Sequence, residues 1–142
     1  MNNKQLDLVS NRIVKAFLSN TLISPIPKKF TKKMRDADFF RSYCEKKISR
    51  PVIGFKAGGT GIPLLKKLNE KEPFYAKVYK HNFLKNNAKV KINRFTLGIE
   101  LEVCFLINKK LFDVKKINKK NISNFITHIA PCIEIVGYRQ KK

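Results

Sequence analysis

Phe95, Leu97, Ile99, Leu101, Val103, Phe105 and Ile107 alternate without a break with Thr96, Gly98, Glu100, Glu102, Cys104 and Leu106. Side chains two apart on an extended chain point to the same side, whereas a helix would scatter this pattern around its axis. The period commits the segment to a β-strand with one apolar face and one face carrying Glu100 and Glu102. The two carboxylates start about 7 Å apart and repel each other unless a proton, a lysine or a metal ion lies between them.

The placement matters because acidic residues are scarce. The chain has 31 Lys and Arg against 10 Asp and Glu, a formal net charge of +21. Beyond Pro73 the acids are Glu100, Glu102, Asp113 and Glu134, and the last lies in the apolar stretch PCIEIVGYR. Oxygen-only donors of this kind suit a hard cation such as Mg2+ or Mn2+ better than zinc. An open sheet also shows a polar face to water, with glutamates paired to nearby lysines, and the pattern alone leaves both readings open.

The same excess of Lys would attract any polyanion. Lysine pairs at 28–29, 32–33, 66–67, 109–110 and 115–116 are spread along the chain, which favours a solvated basic surface over one dedicated patch. Tyr75, Tyr79 and Phe83 interleave with Lys77, Lys80 and Lys85, the pattern a single-stranded nucleic acid would use for stacking. A basic polyanion- or nucleic-acid-binding module without catalysis is the alternative function.

At 142 residues, with 43% hydrophobic residues and 11 Phe, the chain suits one domain with a real core. It divides into a helical part, about 1–50, and a β-rich part, about 51–142. Leu6, Val9, Ile13, Ala16 and Phe17 recur at helical spacing and predict a helix from Leu6 to about Leu18. SPIP makes a turn. A second helix is expected over Lys33–Lys47, with Phe39, Phe40 and Tyr43 on its buried side. A strand over Val52–Lys56, a glycine turn, a helix over Ile62–Leu68 and a strand over Phe74–Tyr79 follow. After the long strand come a helix over Asn121–Ile129 and a strand over Pro131–Val136. The order predicts an α+β fold with its helices toward the N-terminus.

Several chemistries are excluded by spacing. GFKAGGTG lacks the lysine a Walker loop needs after its glycines, GxGxxG is absent, and His81 and His128 have no HExxH spacing. Cys44, Cys104 and Cys132 have no zinc-type spacing and read as buried thiols in a reducing compartment. No signal peptide and no membrane-spanning run is visible, so a cytoplasmic protein without a membrane partner is expected. Lys56, at a strand end beside the glycine turn, is a candidate for proton transfer or anion binding.

Taken in order, PVIGFKAGGTG, EPFYAKVY, GIELEVCFLI and APCIEIVGYR resemble the 2-keto-4-pentenoate hydratase branch of the fumarylacetoacetate hydrolase superfamily, and MRDADFFRSYCEKK resembles the preceding helix. The resemblance implies part of a mixed β-sheet core and chemistry on 2-oxo acids. It implies that Glu100, Glu102 and Glu134 hold one Mg2+ or Mn2+ and that Lys56 orients substrate or moves a proton. The chain departs from the family at Tyr79-Lys80-His81-Asn82, which lacks an acid, at Ala76, where glycine is common, and after Val136, where Gly137-Tyr138-Arg139 follows. Its end at Lys142 reads as a shortened member, completed by homo-oligomerisation or reduced in activity.

Overall fold

The computed structural model describes residues 3–93, 95–108, 117–138 and 140. The fold is α+β. Its helices are α1 (Asn3–Ser19), α2 (Met34–Glu45) and α3 (Ile62–Leu68), and its strands are β1 (Val52–Gly58), β2 (Phe74–Tyr79), β3 (Thr96–Ile107) and β4 (Ile126–Gly137). β1 pairs antiparallel with β2 and β3 antiparallel with β4, so the described strands form two separate two-stranded sheets rather than part of one mixed sheet. Among the described residues no helix is long and apolar enough to cross a membrane.

The chain falls into two units, Met1–Lys91 with Arg139–Lys142, and Ile92–Tyr138. The sequence division near residue 50 lies inside the first. There α1 and α2 enclose a core of Leu6, Val14, Phe30, Phe40 and Cys44, flanked by Val9, Ile13, Ile26, Tyr43 and Ile48. Phe30 stacks on Phe40 with ring centroids 4.6 Å apart. Phe39 and Tyr43 do not join Phe40 in full burial: Phe39 is exposed, because a helix turns about 100° between successive residues.

Both α1 and α3 end through an asparagine in the left-handed region, Asn20 (φ 54°) and Asn69 (φ 54°). Asparagine tolerates that conformation better than most side chains. In each case the following amide reaches back five residues, Thr21 to the Ala16 carbonyl (3.0 Å) and Glu70 to the Leu65 carbonyl (2.9 Å). Part of the chain's asparagine content is thus turn chemistry.

The second helix is anchored on charge as well as on its apolar side. Asp7 accepts from Tyr43 Oη (2.7 Å) and Lys47 Nζ (2.5 Å), which ties α1 to the end of α2. Arg41 donates to Glu45 (2.8 Å) and lies over the Tyr75 ring at 4.8 Å, while Lys77 approaches Glu45 at 3.6 Å. The β1–β2 sheet is therefore bound to α2 through its side chains. At the glycine turn between β1 and α3, Gly59 adopts φ +70°, which favours glycine, and a Cβ on Gly58 would meet the Phe74 ring at 2.4 Å, so a side chain there would have to displace that ring.

In the second unit the helix expected over Asn121–Ile129 is not formed. A short 3-10 turn covers Ile122–Phe125 and β4 begins at Ile126. Ile126, Thr127 and Ile129 are β-branched, and pairing with β3 draws them into the ladder. β4 continues through Pro131 opposite Val103; a proline lacks the amide that a central strand would need, but β4 has an open side among the described residues.

Candidate metal centre

The register of β3 and β4 decides which side chains meet. Glu100 lies opposite Glu134, Glu102 opposite Cys132, and Cys104 opposite Ala130. Directly opposed residues have Cβ atoms about 5 Å apart and share a face, and the diagonal neighbour is within reach of a long side chain. Glu134 therefore faces both glutamates of β3, one straight across and one diagonally. Ligand oxygens of Glu100, Glu102 and Glu134 all lie within 4.8 Å of one another. Glu100 and Glu102 are exposed and Glu134 is half-buried.

Three carboxylates at this spacing offer an open, all-oxygen face. A divalent ion of the magnesium class takes oxygen ligands at about 2.0–2.1 Å in octahedral geometry, so oxygens of one coordination shell stand about 3–4 Å apart. Oxygens within 4.8 Å of one another stand near that separation. Three protein donors leave three of six positions for other oxygen ligands. The donor set thus fits a hard divalent cation.

The other face of the ribbon differs from expectation. Ile99, Leu101, Val103 and Phe105 pair with Ile135, Ile133, Pro131 and Ile129. The alternation predicted that this face would pack a core, yet Leu101 is 84% exposed and Ile99 65%. The two-stranded ribbon supplies no second layer of its own.

Two of the three cysteines also depart from the expected buried state. Cys44 is buried and burial pushes its thiol up to about 11, whereas Cys104 is half-buried and Cys132 exposed. Cys104 and Cys132 stand on the carboxylate face. The signal was in the numbering: positions 100, 102 and 104 share parity on one strand, as do 132 and 134 on the other. The Cys132 thiol is raised, first by the slight desolvation of its largely exposed side chain and further by Cys104, Glu102 and Glu134.

Lys56 occupies β1 opposite Ala76 in the first unit and is exposed. Asp113 lies outside the described residues. His81 packs edge-on to Phe17 at 5.6 Å, and His128 sits opposite Leu106 on β4. Tyr79, one of the candidate stacking aromatics, is buried between Phe17 and His81, with no hydrogen-bond partner for its hydroxyl among the described residues. Neither a protein-family model nor a curated protein matches the chain.

Proposed function

We propose that the chain is a divalent-metal-dependent, hydratase-like protein acting on 2-oxo acids, with Mg2+ or Mn2+ held by Glu100, Glu102 and Glu134. The observation that carries the reading is the convergence of these three carboxylates. The resemblance singles them out from 10 acidic residues, and the ligand atoms of all three lie within 4.8 Å of one another.

In this reading the bound ion supplies Lewis-acid polarisation of the 2-oxo group. Glu100 and Glu102 present their carboxylates from one strand, and Glu134 closes the set from its neighbour, so the charge of this face is fixed by strand register rather than by a loop. Lys56 takes substrate orientation or proton transfer on the strength of the resemblance. A homo-oligomer that covers the apolar face of β3 and β4 belongs to the same reading.

Calorimetric titration with Mg2+ and Mn2+, with and without oxalate as a chelating 2-oxo acid mimic, tests the site. Saturable binding that oxalate tightens, and that is lost in the double variant Glu100→Gln with Glu102→Gln, is the expected result. Absence of binding by the folded chain removes the proposal. The polyanion reading rests on the net charge of +21. Burial of Tyr79 withdraws one ring from the stacking pattern, so selectivity for a particular nucleic-acid sequence is what would revive it.

A further inference from the structure

Glu100, Glu134 and Glu102 form a triangle of one straight-across pair and one diagonal. Moving two residues along each strand gives the same triangle again, now made of Glu102, Cys132 and Cys104. Glu102 belongs to both. The first triangle brings its donor atoms within 4.8 Å, and among the described residues it alone does so. The second has the same backbone geometry but shorter side chains, and Glu102 is turned toward Glu134.

The two thiols face one another on a diagonal, for which Cα atoms stand about 7–8 Å apart. A disulfide requires Cα separations of about 4.4–6.8 Å and Cβ atoms about 3.8 Å apart, so the diagonal is too long for an S–S bond without backbone movement. A metal ion with a sulfur at about 2.3 Å on each side spans the longer gap. Soft thiolate donors select cations of the zinc class over magnesium. The geometry therefore favours a bridging cation over oxidation.

We infer that Cys104, Cys132 and Glu102 form a second, thiophilic cation site, and that its occupation competes with the carboxylate site because both need Glu102. The thiol set stands on strand register alone; the competition rests on the carboxylate-site reading above. A rotation of the Glu102 side chain, from the diagonal toward Glu134 to the position opposite Cys132, exchanges one ligand set for the other. Both cysteines then lose their thiol protons to solvent and bind as thiolates, with no change of oxidation state.

Cd2+ titration of the reduced full chain, read by the ultraviolet sulfur-to-metal charge-transfer band, tests the inference. The band is expected to saturate at about one equivalent, to disappear in Cys104→Ser and in Cys132→Ser, and to persist in Cys44→Ala and in Glu134→Gln. Far-ultraviolet dichroism establishes that each variant is folded. No band in the parent chain, or a band that survives in the double serine variant, overturns the site. Glu134→Gln separates the two readings, since it removes a ligand from the carboxylate set and none from the thiol set. One equivalent of Cd2+ is expected to weaken Mn2+ binding at least about tenfold in the parent and not in Cys132→Ser. Unchanged Mn2+ affinity in the parent overturns the competition, and failure of Mn2+ to bind at all refutes the carboxylate reading and the competition, leaving the thiol site to stand on its band.

Discussion

Replacing Glu134 by glutamine will have opposite effects on stability with and without metal. In the metal-free chain Glu134 faces Glu100 and Glu102, with ligand oxygens within 4.8 Å. Two like charges at that distance repel by about 0.9 kcal/mol in a water-like dielectric, the appropriate limit for largely exposed groups. Screening over a length of about 8 Å at physiological salt brings each pair to roughly 0.5 kcal/mol. Glutamine removes both repulsions and keeps the side chain's shape, so these two pairs together contribute about 1 kcal/mol in favour of Glu134→Gln in chelator. With metal at one hundred times its dissociation constant the parent gains about 2.7 kcal/mol, whereas a variant with hundredfold weaker binding gains about 0.4. The order of stability then reverses by about 1.3 kcal/mol. Urea denaturation in EDTA and in Mn2+ measures both. A variant no more stable than the parent in EDTA at low salt, or one that metal stabilises equally, refutes the reasoning.

Phe30→Ala is expected to cost about 3–5 kcal/mol by urea denaturation, because Phe30 is 1% exposed and removing it leaves Phe40 facing a cavity. Alkaline stability turns on Cys44: burial raises its thiol from 9.0 to about 11, so the contribution of the neutral thiol is complete below pH 9 and lost as pH rises through about 11. Cys44→Ala will flatten the stability profile over that interval. Asp7 titrates below the usual aspartate range, chiefly through its hydrogen bond from Lys47 and then that from Tyr43. Its contribution is present above the unfolded value and lost as pH falls through the folded one, so Asp7→Asn will remove that part of the acid transition.

β3 was legible because period-two alternation is strong over 13 residues, Phe95–Ile107, and α1 because its apolar residues recur at helical spacing. The first half of β4 was not. Ile122, Phe125, Ile126 and Ile129 match a helical period as well as a strand, and only pairing with β3 resolves the ambiguity. The face carrying Glu100 and Glu102 could be read, but not their partner across the sheet. Alternation assigns sides, while register depends on the turn between strands, and a shift of one residue would have sent Glu134 to the apolar side. Glu134 stood out by its apolar setting in PCIEIVGYR and by the motif order of the resemblance, neither of which gives register. The open apolar face was also hidden, because a pattern of alternation says which side is apolar and nothing about whether another layer covers it.

A ribbon of two strands joins only half of its backbone amides. Along β3, residues alternately turn their N–H groups toward β4 and away from it. Deuterium uptake across Gly98–Leu106 should therefore alternate between slow and fast from one residue to the next. The fast set is a built-in gauge of company: if another strand from any source docks along that edge, those amides become slow while the inner ones change little. Isotope labelling thus distinguishes covering of the apolar face, which leaves the alternation intact, from extension of the sheet, which erases it.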